Sequence, residues 1–214
     1  MLAFLLPAVL ASPKAAAEDP LTLIAFGDSL TQGYGLPPEE GFVPVLDRWL
    51  AAEGISATVV NAGVSGDTTA GGRARIGWTL SGAADAVIVA LGANDMLRGI
   101  DPGVSKANLA GILEIAKDAD LPVLLIGFEA AGNYGPDYKA AFDGMYAELA
   151  SDYDTLFFPS FFRPLVGEGS GPLDANLMQS DGLHPNRAGV AVVAAALGPS
   201  VAELARDATK SKSP

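Results

Sequence analysis

The one histidine of this 214-residue chain, His184, lies three residues after an aspartate, Asp181. An imidazole gives and takes a proton near neutral pH more readily than any other unperturbed side chain. A serine hydroxyl is a weak nucleophile until a neighbouring base removes its proton. Any serine of this chain that works with a histidine base must therefore work with His184.

Ser29 is the candidate nucleophile. It follows an apolar run over residues 21–26, in the sequence Gly27-Asp28-Ser29. A short run with no polar face is typical of a buried strand in a parallel sheet, and open α/β sheets place their ligands at the carboxyl ends of such strands. Taken alone, the segment is equally typical of an ordinary strand-to-helix turn, because Asp and Ser often cap helices.

Two further apolar runs, near 57–61 and 86–91, end in groups that could hold an oxyanion. Gly66 follows the first run, and a glycine lets a backbone N–H approach a ligand closely. Asn94 follows the second run, and its amide is a neutral donor. Each turn alone also fits capping chemistry. Three successive strands that each end in one part of an acyl-transfer site favour the catalytic interpretation.

These segments, in order, resemble the four blocks of the SGNH or GDSL hydrolase family. The blocks are residues 27–30, Gly66 within 65–67, residues 92–95 and residues 181–184. Segments 61–68 and 132–135 resemble the bacterial periplasmic branch of thioesterases, lysophospholipases and arylesterases. The resemblance runs from about residue 21 to about residue 204.

The resemblance implies a role for each site residue. Ser29 would be the nucleophile and His184 the general base, with Asp181 orienting the imidazole. The oxyanion hole would consist of the backbone N–H groups of Ser29 and Gly66 and the side-chain amide of Asn94. The implied reaction is the hydrolysis of carboxylic esters or thioesters through an acyl-serine, without a metal ion or other cofactor.

The loop after the run 122–128 predicts the substrate range. In thioesterase-like relatives this loop carries larger apolar residues, whereas here it contains Glu129, Ala130, Asn133 and Tyr134. We expect these four residues to contact the substrate. Because Glu129, two alanines and a glycine replace the larger apolar residues of those relatives, the sequence predicts short acyl and aryl esters as substrates. The alternative is that this loop only connects a strand to a helix.

Two alternatives remain open on the sequence. Related families with the same four blocks remove acetyl groups from carbohydrates, so the chain could be an O-deacetylase. A flavodoxin-like module could also bind a small ligand at its strand ends without turnover, although a binder has no need of a complete set of catalytic groups. The α/β-hydrolase fold is disfavoured because Ser29 lies in Gly-Asp-Ser-Leu rather than Gly-x-Ser-x-Gly.

The elements that must position these groups follow from the hydrophobic pattern. Strands are predicted near 21–26, 57–61, 86–91, 122–128 and 155–158, with helical stripes between them and a last helix near 187–206. This alternation predicts βαβ units. With the family resemblance, it predicts an α/β fold, a three-layer flavodoxin-like sandwich with a central parallel sheet of about five strands.

The chain is expected to contain one domain over residues 18–206, followed by a disordered tail over 207–214. Residues 1–17 are apolar and end in three alanines, which predicts a signal peptide and a periplasmic or secreted enzyme. No Lys or Arg precedes the apolar run, which departs from the usual signal pattern. The alternative is an N-terminal helix packed on the domain.

Charge and composition exclude several classes of partner. The net charge of −12 argues against nucleic acid, whose phosphates need basic patches. One histidine and no cysteine leave no pattern of metal ligands, and no Gly-x-Gly-x-x-Gly motif supports a dinucleotide. We expect a monomer that acts on a small-molecule ester or thioester and has no stable membrane span.

Overall fold

The computed structural model describes residues 19–167 and 171–212. The predicted signal peptide over 1–17 lies outside the described residues. All five predicted strands are present. They are β1 Leu21–Gly27, β2 Ala57–Gly63, β3 Ala86–Ala90, β4 Val123–Ile126 and β5 Leu156–Phe158.

Seven α-helices lie within the described residues. They are α1 Ser29–Gln32, α2 Phe42–Ala52, α3 Thr69–Thr79, α4 Ala93–Leu97, α5 Pro102–Asp118, α6 Pro136–Asp152 and α7 Arg187–Lys212. Helices α1 and α4 are each a single short turn or little more, and each follows directly on a strand. The long helices alternate with the strands, as the sequence pattern predicts.

The five strands form one parallel sheet in the order β2-β1-β3-β4-β5. The chain moves in one direction from β1 to β2, and in the other from β2 through β3 and β4 to β5. Since parallel crossovers are right-handed, this reversal places α2 on one face and α3, α5 and α6 on the other. Helix α7 packs with α2, and α3, α5 and α6 pack side by side. The predicted three-layer sandwich is confirmed.

The core lies on both faces of the central strands. Every residue of β3 and β4 is buried, and so is nearly every residue of β1. Such strands read as continuous apolar runs because helices cover both of their faces. The edge strand β2 is more exposed, and its sequence is a less continuous apolar run.

The last helix differs from the prediction. Helix α7 continues to Lys212, whereas the sequence predicted disorder from residue 207. Ala208 is buried, and Lys212 forms an ion pair with Asp85 at 2.6 Å, so the final turns are held against the domain. Among the described residues, α7 is the one helix long and apolar enough to cross a bilayer, but half of its most apolar window is buried inside the domain.

Strand register brings the candidate site residues to one edge of the sheet. Gly27, at the end of β1, pairs with Gly63 of β2 on one side and Ala90 of β3 on the other. Ser29 and Asn94 follow β1 and β3, the two strands between which the direction of winding reverses. In open α/β sheets ligands bind at such a reversal.

Candidate active site

Ser29 is the first residue of α1, at the carboxyl end of β1. Asp28 caps this helix, because its Oδ1 accepts a hydrogen bond from the Leu30 N–H at 3.0 Å. The turn between strand and helix is tight: a Cβ at Gly27 would lie 2.0 Å from the Thr31 Oγ1. The backbone N–H of Ser29 is one of the free donors that every helix start presents.

His184 lies opposite Ser29, although 155 residues separate the two along the chain. Its Nε2 is 2.9 Å from the Ser29 Oγ, and its Nδ1 is 2.7 Å from the Asp181 Oδ2. A carboxylate at Nδ1 requires an N–H there, which leaves Nε2 as the acceptor facing the hydroxyl. The ring of Tyr34 packs against the imidazole, with 4.7 Å between the ring centroids.

Asp181 is held as a carboxylate. The hydrogen bond with His184, followed by that from the Leu183 N–H, lowers the pKa of Asp181 to about 2. Its Oδ1 accepts from the backbone N–H groups of Leu183 and His184, at 2.9 and 3.1 Å. The turn that brings carboxylate and imidazole together passes through Gly182, whose φ of +67° suits glycine.

Gly66 lies in the loop between β2 and α3. Its φ of +81° is in the left-handed region, which non-glycine residues rarely adopt. Its carbonyl accepts a hydrogen bond from the Arg98 Nη2 at 3.0 Å. The preceding Ser65 hydroxyl donates to the Gln32 side-chain oxygen in a very short contact. The loop is therefore fixed from both sides, with Gly66 at the wall of the same cavity as Ser29.

Asn94 is the second residue of α4, just beyond β3. The turn into this helix depends on Gly92, with φ +126°, because a Cβ there would lie 2.1 Å from the Tyr146 hydroxyl oxygen. That hydroxyl donates to the Leu91 carbonyl at 3.0 Å and supports the turn from behind. One Asn94 Nδ2–H donates to the Asp28 Oδ2 at 3.2 Å. The amide keeps its second N–H for a ligand.

Asp28 links the segment of Ser29 to the segment of Asn94. Its side chain is fully buried, and burial raises its pKa from 3.8 to about 6. Its two oxygens accept from the Leu30 N–H and the Asn94 amide. The sequence predicts Asp28 only as a helix cap, since nothing local marks the contact with a residue on another strand.

Asp95 anchors α4 to its neighbours. Its buried carboxylate accepts hydrogen bonds from the Thr69 N–H and the Thr69 hydroxyl, at 2.8 and 2.5 Å, and from the Ser105 hydroxyl at 2.9 Å. Buried carboxylates with several partners fix the elements that they join. Asp95 thereby joins the helix of Asn94 to the starts of α3 and α5.

A cavity of about 220 Å³ opens beside Ser29 and His184. Its walls include the three oxyanion candidates and a set of apolar side chains. The lining residues are Ser29, Leu30, Tyr34, Ser65, Gly66, Ala93, Asn94, Met96, Leu97, Phe162, Leu183 and His184. The sequence did not mark Tyr34, Met96, Leu97 or Phe162 as site residues, because they come from three separate segments and follow no motif.

None of the four predicted substrate contacts, Glu129, Ala130, Asn133 and Tyr134, lines this cavity. The loop is fastened to α6 instead. The Ala130 N–H donates to the Asp143 Oδ1 and its carbonyl accepts from the Lys139 Nζ, both at 2.7 Å. Tyr134 does not line the cavity, but its hydroxyl donates to the carbonyl of Leu97, a lining residue, at 3.3 Å.

The geometry brings the other predicted residues together around one space. Ser29, His184 and Asp181 form a hydrogen-bonded series, and Ser29, Gly66 and Asn94 line the same cavity. Such an arrangement can move a proton from the hydroxyl to the imidazole and hold a negative oxygen beside it.

Comparison with known proteins gives a family match over most of the chain. Residues 25–192 match the GDSL-like Lipase/Acylhydrolase family. The matched range contains all the candidate catalytic residues, the last three residues of β1 and the whole of the other four strands.

Curated relatives match over similar lengths. Esterase TesA of Pseudomonas aeruginosa is 40% identical over 83% of this chain and 84% of its own length. Arylesterase of Vibrio mimicus is 34% identical, over 80% of this chain and 84% of its own. Thioesterase 1/protease 1/lysophospholipase L1 of Escherichia coli K12 is 37% identical, over 84% of this chain and 81% of its own.

Solved structures agree with this match. A crystal structure of TesA superposes with a TM-score of 0.78 at 36% identity, covering 86% of this chain and 99% of that one. AlinE4, described as an SGNH-hydrolase family esterase, superposes with a TM-score of 0.72 at 39% identity, covering 88% of this chain and 98% of that one.

Proposed function

This chain belongs to the GDSL-like lipase/acylhydrolase family, and we propose that it hydrolyses short-chain acyl esters and aryl esters through an acyl-Ser29 intermediate. The family and the esterase and thioesterase relatives make it a serine ester hydrolase, and the alternative of a binding module without turnover is set aside. The acyl length, the leaving group and the role of each residue belong to the proposal.

The observation that carries the proposal is the series of hydrogen bonds from Ser29 through His184 to Asp181, at 2.9 and 2.7 Å. The His184 Nε2 takes the proton of the Ser29 Oγ as that oxygen bonds to the substrate carbonyl carbon. The carbonyl electron pair moves onto its oxygen. When the tetrahedral intermediate collapses, the leaving alcohol departs and takes the proton from Nε2.

Water then completes the cycle. The His184 Nε2 removes a proton from water as its oxygen attacks the acyl carbon, and a second tetrahedral intermediate forms. Its collapse breaks the bond to the Ser29 Oγ, which recovers the proton from Nε2. One ester and one water give one carboxylic acid and one alcohol, and no electron acceptor is needed.

The oxyanion of both intermediates would lie between the N–H groups of Ser29 and Gly66 and the Asn94 amide. These donors are fixed before the substrate arrives: α1 is capped by Asp28, the Gly66 carbonyl is held by Arg98, and the Asn94 amide is held by Asp28. Donors that need not reorganise stabilise a developing charge most effectively.

The preference for short or aryl substrates rests on the cavity. Its volume of about 220 Å³ is below the 300–1,000 Å³ that is usual for sites enclosing larger ligands. Leu30, Met96, Leu97, Phe162 and Leu183 contribute the apolar surface, which suits a small acyl group or an aromatic ring. Longer chains would extend into solvent and gain little binding energy for each added methylene.

A series of p-nitrophenyl esters from acetate to laurate tests this preference, with the matching acyl-CoA thioesters as a second series. We expect kcat/KM to be highest for the short esters, to fall for octanoate and laurate, and to be lower for thioesters with long acyl chains. A steady rise to laurate would show a long-chain groove and contradict the proposed substrate class. The Ser29→Ala variant corrects for background hydrolysis.

We also propose that the enzyme is exported. The support is the apolar sequence of residues 1–17 with alanines at its end. N-terminal sequencing of the active protein from a bacterial host tests this, and we expect the chain to begin near residue 18. An intact Met1 on active protein would contradict export.

A further inference from the structure

Gln179 connects the segment that carries Ser29 to the loop that carries His184, and we propose that it is a positioning residue that sets the distance between nucleophile and base. This inference rests on the proposed function, because it assigns Gln179 a role in the same reaction. Gln179 does not line the cavity and does not touch either reacting side chain.

On one side, Gln179 is built into the histidine loop. Its backbone N–H donates to the His184 carbonyl at 2.8 Å, next to an antiparallel bridge between Met178 and Pro185. Its side-chain Nε2 donates to the Pro185 carbonyl at 3.0 Å. Gln179 therefore binds the backbone of His184 and of Pro185, in the loop that carries the imidazole.

On the other side, the same amide reaches the nucleophile segment. The Gln179 Nε2 donates to the Tyr34 carbonyl at 2.8 Å. The Tyr34 N–H in turn donates to the Ser29 carbonyl at 3.0 Å, and the Tyr34 ring packs against the His184 ring. Both N–H groups of the amide are thus used, one on each of the two segments that must meet.

Gly35, which follows Tyr34, leaves room for the Gln179 side chain. A Cβ at Gly35 would lie 2.2 Å from the Gln179 Oε1, and the φ of Gly35 is +78°. The Gln179 amide therefore lies flat against the backbone at Gly35, where a larger residue would displace it.

The distance that Gln179 would set is the one between the Ser29 Oγ and the His184 Nε2. Ser29 and His184 are 155 residues apart in sequence, and only tertiary contacts hold their 2.9 Å separation. A misplacement of about 1 Å between reacting groups costs on the order of 10²-fold in rate. The Asp181 contact with His184 lies within one short loop and involves no hydrogen bond of the Gln179 side chain.

The test replaces Gln179 by Met, which keeps the length but has no donor, and by Glu, which would face two carbonyl oxygens with a carboxylate. With p-nitrophenyl acetate we expect kcat to fall about 10- to 100-fold for Gln179→Met and at least as far for Gln179→Glu, with KM within about 2-fold. A fluorophosphonate titration counts the working serines, so that kcat is expressed per active site.

Asn176→Met is the matched control. Asn176 lies on the same loop, and its amide donates to Asp174 within that loop rather than to the nucleophile segment. We expect its kcat per active site to equal that of the wild type. If Gln179→Met lowers only the number of titratable sites, or leaves kcat per site unchanged, or if Gln179→Glu retains the wild-type kcat, Gln179 has no positioning role.

The NMR signal of the sole histidine gives a readout that needs no ester turnover. His184 is the only source of an imidazole Hδ1 resonance, and we expect it to broaden and exchange faster with solvent in Gln179→Met but not in Asn176→Met. If the wild-type enzyme cleaved no ester, the proposed function would fail, and this comparison would still decide whether Gln179 holds the imidazole. An unchanged resonance would overturn the inference.

Discussion

Asn94 shows how a single side chain serves two partners. One N–H of its amide is held by the buried Asp28, and the other is available to the substrate. This division makes Asn94 a donor whose direction is set before binding. In the proposed mechanism the second N–H donates to the substrate carbonyl oxygen. Because that hydrogen bond strengthens as the oxygen becomes negative, it would lower the free energy of the transition state more than that of the bound substrate.

We therefore expect Asn94→Ala to lower kcat by roughly 10²–10³-fold with little change in KM. Steady-state kinetics with p-nitrophenyl acetate measures both constants. Asn176→Ala is the control, since the Asn176 amide donates to Asp174 outside the cavity. A defect confined to KM would make Asn94 a residue that binds the ground state.

Asp28 predicts a pH dependence of stability. Burial raises its pKa from 3.8 to about 6, so between these values the folded protein binds the proton more tightly than the unfolded chain does. The contribution of Asp28 to the free energy of unfolding is thus largest below about pH 4 and is lost as the pH rises through about 6. At 1.36 kcal/mol for each pKa unit, the loss is up to about 3 kcal/mol.

Asp28→Asn removes this titration. Urea unfolding measures the free energy of unfolding of both proteins at pH 4 and at pH 7.5. We expect the difference, variant minus wild type, to rise by up to about 3 kcal/mol from pH 4 to pH 7.5. Its kcat should fall about 10-fold, because one amide oxygen replaces two carboxylate oxygens that accept from Leu30 and Asn94. A stability difference that is the same at both pH values would contradict the assignment.

At this scale the sequence predicts residues that carry a motif and misses those that act through a neighbour. Ser29, His184 and Asn94 stand in recognisable segments. Gln179 and the contact of Asp28 with Asn94 depend on residues brought together from distant segments. Glu129 and its neighbours do not line the cavity, and hydrogen bonds of Ala130 hold that loop to α6, so their contact with substrate stays a prediction.

Among the elements, the central strands follow most directly from sequence. β1, β3 and β4 are buried on both faces. Their apolar runs are short and have no polar face, which is typical of strands that helices cover on both sides. The end of α7 could not be predicted in this way. Residues 207–212 are polar in composition, and only the packing of Ala208 and the ion pair of Lys212 with Asp85 show that they belong to the domain.

A chain that ends at Arg206 tests this view of α7. We expect the free energy of unfolding to fall by about 1–2 kcal/mol, since a buried alanine and an ion pair that is partly shielded are both lost. Because the last turns lie at the opposite end of the sheet from Ser29, kcat should be unchanged. Urea unfolding in parallel with kinetics measures both. An equal stability of the two chains would mean that residues 207–212 contribute nothing.

For the whole molecule, the order of the strands decides where the site lies. The reversal between β1 and β3 leaves a crevice at the carboxyl edge of the sheet, and residues from five separate segments line it. The hydrophobic pattern predicts a parallel sheet, but it does not predict the strand order β2-β1-β3-β4-β5, which the structure shows. Pairing between strands depends on contacts that no local pattern records.

In the proposed mechanism Ser29 hydrolyses esters, with His184 as its base and Asp181 beside the imidazole. The most direct test is kcat for p-nitrophenyl acetate in the wild type, in Ser29→Ala and in His184→Ala, with circular dichroism to show that each protein is folded. No second histidine can replace His184. We predict that each variant loses about 10⁴-fold or more and that the double variant loses little beyond this, because the residues act as a unit. Near-normal kcat in either folded single variant would contradict the account.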